Sequence, residues 1–358
     1  MKSKFKQNLK SIAFPFIAII LSLFISVFFI MWAKGYPITK YFTALGELIS
    51  IVWKGSFGTK RNIMTTLSEV TPLIFAGVAH ALAFRCGLFN IGVAGQFALG
   101  MLAAAIVGTI PGLSPAIHIP LMIVSGIIAG SIWAGIPGYL KAKFGTSEVI
   151  NTIMMNYISV FLCNYIILKT RFGVPGKAST PIIEESAQFT RFMKAAPANT
   201  SIFLAILVAA FIFWLLWKTT VGYEIRAVGI NPHGAEYGGV SIPKNMILAM
   251  VISGAIAGLG GATHISGVMH TLQDFMAVPS YGFDGIAVAL LAKNNPIACI
   301  GSAVLFGALN NSARALQLNG IPKQIVYLIQ AIIIIFVATD YIVKYFEEKK
   351  KKGAIVNE

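Results

Sequence analysis

Lys218–Lys244, KTTVGYEIRAVGINPHGAEYGGVSIPK, is a polar, Gly-rich stretch between two segments, about 200 to 217 and 245 to 267, each apolar enough to cross a membrane. It carries Glu224, Arg226, Glu236 and Lys244, residue types that cost about 2.5–3.5 kcal/mol apiece at a bilayer centre. The chain therefore leaves the lipid here and re-enters it. The stretch is too short to be a domain and reads as a docking surface. Ala227, Val228, Ala235 and Val240 give a short helix one apolar side, while Gly229, Asn231 and Pro232 break it into two pieces.

Outward from that stretch the same pattern repeats. Of 358 residues, 56% are hydrophobic and only 11% charged, and the mean hydropathy is +0.77, far from a soluble domain. Apolar runs of about 20 residues recur, so the fold class is an all-α, polytopic helical bundle, because a barrel needs shorter alternating segments. The formal charge of +15 has its densest clusters at Lys2, Lys4, Lys6 and Lys10 and at Lys349–Lys352, each flanking a membrane segment. Such clusters face anionic lipid on the cytoplasmic side, and no nucleic-acid partner is expected. Cys86, Cys163 and Cys299 stand singly and show neither a disulfide framework nor metal spacing.

Spans are expected at about 11–33, 62–84, 88–109, 117–140, 147–168, 200–217, 245–267, 281–292, 296–312 and 322–343, about ten in all. The first follows a basic start as a signal peptide would, but it is too long, ends in FFIMW and lacks a small-residue cleavage site, so it reads as a retained helix. With the N-terminus inside, Arg85, Lys141, Lys143, the Lys218–Lys244 loop, Lys293 and the basic tail all fall inside, and both termini are cytoplasmic. One transmembrane domain then fills residues 1–358: first helix and external segment 1–61, first repeat 62–168, helix and coupling loop 200–244, second repeat 245–343 and basic tail 344–358.

Segment 281–292 is too short to cross unaided, and short helices line something. Phe283-Asp284 and Phe89-Asn90 each open an apolar segment after Gly, and on this topology one enters from outside and the other from inside, the signature of an inverted repeat. Polar residues at membrane depth gather around these phrases: Glu69, His80, Asn90, Gln96, Asn151, Asn156, His264 and Asp284. As a set they suggest a polar pathway; singly, each carboxamide has the alternative role of a helix-to-helix hydrogen bond. Asn90 and Gln96 share a face only if the helix unwinds at Gly92 and Gly95. Carboxamides and exposed backbone suit a neutral hydrogen-bonding solute such as a nucleoside or sugar, with Phe89 and Phe283 placed to stack on a ring or to pack. Gly254, Gly258, Gly260 and Gly261 allow close helix packing. A Walker A loop, HExxH, Gly-x-Ser-x-Gly and paired metal-binding cysteines are missing. The chain is thus read as a transport subunit with no catalytic residue, cofactor or metal.

Gly222-Tyr-Glu-Ile-Arg226-Ala-Val-Gly229-Ile-Asn231-Pro resembles the cytoplasmic coupling segment of permeases from binding-protein-dependent ATP-binding-cassette importers, in the branch serving simple sugars, nucleosides and branched-chain amino acids. Gly87-Leu-Phe-Asn-Ile-Gly-Val-Ala-Gly-Gln96, Thr146-Ser-Glu-Val-Ile-Asn151-Thr-Ile-Met-Met-Asn156-Tyr and Tyr281-Gly-Phe-Asp284-Gly-Ile-Ala-Val-Ala-Leu-Leu-Ala-Lys293-Asn-Asn-Pro296 agree, and together they run from about residue 60 to the end. The wording is most similar to the nucleoside group, whose binding proteins are basic-membrane-protein lipoproteins.

The resemblance implies a multi-pass permease of a bacterial plasma membrane that binds no ATP. It implies three partners: a cytosolic ATPase docked against Arg226, Gly229, Asn231 and Glu236, a second permease, and an extracytoplasmic substrate-binding lipoprotein. The substrate pathway would involve Phe89, Asn90, Gln96, Asn151, Asn156, Phe283 and Asp284, and carry a nucleoside, with a simple sugar such as ribose or galactose as the nearest alternative. An ion-gradient-driven secondary transporter using Glu69, His80 or Asp284 is the alternative of another class. Two departures stand out. Relatives commonly read Ala-Glu where this chain has Val93 and Ala94, and Ala-Ala-Arg-Tyr-Ala-Gly-Ile where it has Gly234-Ala-Glu236-Tyr-Gly-Gly-Val240.

Overall fold

The computed structural model describes residues 2–337; the basic cluster Lys349–Lys352 and the 344–358 tail lie outside the described residues. Thirteen helices are described: α1 Lys2–Lys34, α2 Tyr41–Phe57, α3 Lys60–Arg85, α4 Val93–Gly108, α5 Pro115–Phe144, α6 Glu148–Lys169, α7 Ser201–Lys218, α8 Thr220–Ile230, α9 Pro232–Tyr237, α10 Ile242–His264, α11 Ser280–Leu291, α12 Pro296–Leu318 and α13 Gln324–Val337. Seven are long and apolar enough to span a membrane; α4, α11 and α13 are apolar but shorter. The fold is an all-α polytopic bundle, and each expected span corresponds to a helix. The chain divides into two compact units, one of described residues up to Asn62 with those from Ala308 onward, the other Ile63–Gly307.

The larger unit is built around α10. Gly254, Gly258 and Gly261 recur at the i, i+4, i+7 spacing that makes one helical stripe. Along it α5 approaches through Gly126 and Gly130, and α4 through Gly100. A Cβ on Gly258 would run into the carbonyl oxygen of Gly126, and one on Gly261 into that of Phe97. These neighbours are backbone and cannot rotate away. The stripe gives close van der Waals approach, which holds helices together where lipid removes the hydrophobic drive.

Two short helices give this unit its inverted character. On α3 and α10, Ala79 meets Ser253 and Phe75 meets Gly260, so these two run antiparallel. The α11 helix follows α3, with Gly285 against Ala76 and the carbonyls of Lys293 and Asn294 on Arg85. Residue Asn90, just ahead of α4, bonds Ser253, and Gly100 then passes Gly258, so α4 follows α10. Thus α4 and α11 run in opposite senses, and their first turns touch where Gly282 lies on Ala94.

The 170–200 segment, between two expected spans, contains the hairpin β1 Arg191–Met193 and β2 Ala196–Asn199. It is strapped to the residues after α10. Thr180 N donates to Leu272 O at 2.8 Å, Ile183 N to His270 O at 2.9 Å and Asp274 N to Ala178 O at 3.0 Å. Asn164 and the Phe275 backbone exchange bonds in both directions.

In the smaller unit, the segment 34–61, in which no span is expected, is mostly the helix α2. Ala44, Leu48 and Ser56 are its buried residues. Ser56 Oγ donates to Ala308 O at 2.6 Å, Asn311 Nδ2 donates to Asn62 O at 3.1 Å, and Tyr41 Oη donates to Phe24 O at 2.7 Å.

Gly258→Leu should lower the stability of the detergent-purified protein by about 3 kcal/mol or more, while Gly301→Ala, whose Cβ meets nothing within 4 Å, leaves it unchanged; thermal unfolding followed by size exclusion checks both. A second expectation concerns the strap. Arg191 Nη2 lies 2.6 Å from His270 Nε2, a contact that needs a neutral ring to accept. Burial first, and the Arg191 guanidinium second, hold the His270 imidazole below its ordinary range. The released strap therefore binds protons more readily than the closed one. Its stability is complete above about pH 6.5 and falls as pH drops from there through the depressed value. Amide exchange at 178–183, corrected for intrinsic rates, should accelerate between pH 7.5 and 5.5, and His270→Gln should flatten the difference.

Candidate functional site

The backbone from Cys86 to Gly92 is non-helical and turns back into the bundle, leaving polar groups inside that have no helical partner. Three carboxamides satisfy them. Asn90 Oδ1 accepts from Gly92 N and from Gln96 Nε2, both at 3.1 Å, while its Nδ2 donates to Gln96 Oε1 at 3.1 Å and Ser253 Oγ at 2.9 Å. Asn156 Oδ1 accepts from Gly95 N at 2.8 Å, and its Nδ2 donates to Ile91 O at 2.9 Å. Ser253 Oγ passes the chain on to Ala79 O at 2.8 Å. Asn90, Gln96, Asn156 and Ser253 are all buried. The helix does unwind before Gln96, bringing it to Asn90, but in this conformation the whole hydrogen-bonding capacity of Asn90 is spent internally.

Asn151 is elsewhere. It sits in the first turn of α6, with Nδ2 donating to Thr146 Oγ1 at 2.7 Å. Phe89 packs on Phe84 with ring centroids 5.0 Å apart, Phe283 is half-exposed, and no ring contact joins them among the described residues.

A second polar group forms beside the first turn of α11. Glu69 on α3 and Tyr281 and Asp284 on α11 lie within electrostatic reach of one another. The Tyr281 ring packs edge-on against His264 at 5.1 Å and against Phe97 at 5.8 Å. His264 Nδ1 is buried with no hydrogen-bond partner among the described residues, as is His80 Nε2. Glu69, His264 and Asp284 stand out in the sequence as polar residues at membrane depth. Tyr281 does not, and the signal that could have found it is its i, i+3 spacing from Asp284 on one helix face.

The Lys218–Lys244 stretch forms α8 and α9, broken at Asn231, whose Oδ1 caps α9 by accepting from Gly234 N at 3.1 Å. Val228 and Ala235 are buried, Ala227 and Val240 half-buried, the apolar side expected. Gly229 is not a break: it lies within α8, where a Cβ would strike the carbonyl oxygen of Arg85. Gly87 holds φ +76 there and faces the Gly229 backbone, a Cβ on it meeting the Gly229 Cα at 3.4 Å. Arg85 in turn donates to Asn294 O at 2.9 Å and Lys293 O at 3.0 Å, binding the ends of α3 and α11. Arg226 turns inward, its Nε donating to Leu216 O at 2.8 Å, and its guanidinium shares the Trp217 ring with that of Arg85. Displayed instead are Glu236, Ile230 (85% exposed) and Tyr237 (96% exposed). Ile230 also lines a cleft of about 320 Å³, together with Tyr223, Arg226 and Gly234.

A helical bundle with two opposed half-length helices and a polar knob tied to their ends defines a membrane transport protein. The chain belongs to the family described as branched-chain amino acid transport system / permease component, which matches residues 62–338. It is 39% identical to the guanosine ABC transporter permease protein NupP of Bacillus subtilis, over 97% of this chain and 99% of that one. Identity is 35% with the nucleoside ABC transporter permease protein NupB of Lactococcus lactis, over 96% and 94%. It is 30% with the glucose ABC transporter permease protein TsgB13 of Haloferax volcanii, over 80% and 78%. No solved structure matches.

Asn90→Ala strands the partners of a fully buried side chain, at about 1–3 kcal/mol for each unsatisfied group, whereas Asn151→Ala loses one half-buried bond worth about 0.5–1.5 kcal/mol. Thermal unfolding of the two purified variants should rank Asn90→Ala well below Asn151→Ala.

Proposed function

We propose that this chain is the membrane-spanning permease subunit of an ATP-driven importer that passes nucleosides across a bacterial plasma membrane, with both termini cytoplasmic. The observation that carries the substrate is the similarity to NupP and NupB over nearly the whole chain. The lower similarity to TsgB13 over a shorter span makes a simple sugar the second reading. A cytosolic ATPase would seat on α8 and α9, with Ile230 and Tyr237 as its apolar grip and Arg226, Gly229 and Asn231 shaping the surface beneath. A second permease subunit and an extracytoplasmic lipoprotein complete the assembly that the resemblance implies.

The geometry supplies a path for the stroke. A load on α8 bears on the α3 end through Gly229 and Arg85, and through Arg85 on the end of α11. The other end of α11 carries Tyr281 and Asp284. Carboxylates accept hydrogen bonds from ribose hydroxyls and base N–H groups, and aromatic rings such as Tyr281, Phe89 and Phe283 offer faces to a base. In this proposal Asn90, Gln96 and Asn156 hold the unwound backbone, and Asp284 with Glu69 meets the solute. The C–H faces of a sugar ring also pack on aromatic side chains, so the order of the two substrates rests on the similarity to NupP and NupB.

Cells lacking this chain should lose energy-dependent uptake of radiolabelled guanosine or uridine and regain it on complementation. Loss of ribose uptake alone would move the substrate to a sugar. Ile230→Asp with Tyr237→Asp, at two exposed positions, should reduce uptake to background while membrane insertion and expression stay normal; wild-type uptake by that variant would remove the docking role. Accumulation by the purified chain alone under an imposed proton or sodium gradient would favour the ion-driven alternative.

A further inference from the structure

The smaller unit contains a polar pocket that the transport reading leaves unused. Its volume is about 710 Å³, and its lining includes Lys34, Tyr36, Glu47, Ser50, Lys54 and Asn319. The cations outnumber the anion. Lys34 and Lys54 both line the cavity, Lys40 adds a third ammonium over the Tyr36 ring at 5.2 Å, and Glu47, 3.7 Å from Lys34, is the one carboxylate there. The Ser50 hydroxyl makes no hydrogen bond among the described residues and lies on the stripe of Gly46 and Lys54, four residues from each. Gly46 has open space where a Cβ would stand, while Gly55 packs closely on Ala315, giving α2 a fixed floor and an open mouth.

The neighbouring stripe of α2 is apolar and uncovered. Phe42, Ile49 and Trp53 recur at i, i+7 and i+11, and are 77%, 49% and 65% exposed. Trp32, two residues inside the end of the α1 span, is 85% exposed, and Ile38 is 68% exposed. Tryptophan and lysine at the end of a spanning helix mark the headgroup level of a bilayer. A pocket that is net cationic, at that level, beside a stripe suited to acyl chains, fits a ligand with an anionic head and an apolar body.

We propose that this pocket binds an anionic phospholipid of the phosphatidylglycerol type. The phosphodiester sits between Lys34 and Lys54, the hydroxyls of the head donate to Glu47, and the acyl chains lie along Phe42, Ile49 and Trp53. A soluble phosphate shares the head chemistry but leaves the apolar stripe uncovered, which is why the lipid is the source assigned.

The test uses the full chain in nanodiscs with diazirine-bearing phosphatidylglycerol or phosphatidylcholine, crosslinked peptides being mapped by mass spectrometry. Phosphatidylglycerol should label peptides within 32–60 at least about fivefold more than phosphatidylcholine. Lys34→Gln with Lys54→Gln should remove that excess, while Lys34→Arg with Lys54→Arg should keep it. Replacing Lys349–Lys352 by Gln, as a control for general attraction of anionic lipid, should leave labelling of 32–60 unchanged. If the double Gln variant does not fold, Lys54→Gln alone, at an exposed position, carries the comparison and should at least halve the excess. Equal labelling by the two lipids, or full labelling in the Gln variant, overturns the proposal. Displacement by millimolar inorganic phosphate also overturns it, assigning the pocket to a soluble anion.

Discussion

Backbone polar groups freed at membrane depth constrain the rest of this molecule. Each unsatisfied N–H or C=O in an apolar interior costs several kcal/mol. The chain nevertheless interrupts a helix between Cys86 and Gly92 and begins α4 part-way along α10. It can do so because Asn90, Gln96 and Asn156 supply donors and acceptors at that point, and Ser253 hands the network on to α3. These residues must be carboxamides: a carboxylate would bring an unpaired charge, and an apolar side chain would bring no partner. The glycine stripe on α10 is the companion requirement, since only close approach brings Ser253 to Asn90.

That network also connects the membrane core to the polar knob. The unwound loop ends at Gly87, whose left-handed backbone faces Gly229. Backbone-to-backbone contact leaves no flexible side chain between knob and core to absorb a displacement. Arg85 extends the junction to the carbonyls at the end of α11. Because α4 and α11 touch at Ala94 and Gly282, one rigid route runs from α8 to the place where the two half-length helices meet. Such a route lets a displacement of the knob bias the junction of α4 and α11, which is what coupling by population shift requires.

Much of this architecture is legible in the amino-acid sequence. Apolar runs near the bilayer length locate the seven long helices, shorter apolar runs locate α4, α11 and α13, and the polar break at Lys218–Lys244 locates the knob, because these signals come from composition; residues 338–343 of the last expected span lie outside the described residues. The helix α2 escapes such a reading for a physical reason. Its apolar residues Phe42, Ile49 and Trp53 are interleaved with Gly46, Glu47 and Lys54, so it has an apolar stripe but no continuous apolar run. The hairpin at 191–199 escapes because Arg191–Met193 and Ala196–Asn199 are too short for alternation to register. Gly229 reads as a helix break because a sequence cannot distinguish a glycine that ends a helix from one that admits another backbone. Apart from Gln96, the partners of Asn90 and Asn156 are invisible for a similar reason: they are backbone groups and a serine 163 residues from Asn90.

The two departures from the family wording separate cleanly once burial is known. Ala94 is fully buried against Gly282. A glutamate there would place a charge where the two half-length helices touch, near Glu69 and Asp284, which are already within electrostatic reach of each other. The departure at 94 is therefore a change inside the core, at the place where α4 and α11 touch. Glu236 is the opposite case. It is exposed on α9 and makes no ion pair among the described residues. Reversing its charge breaks no ion pair among the described residues, so the change is confined to the outer surface of α9.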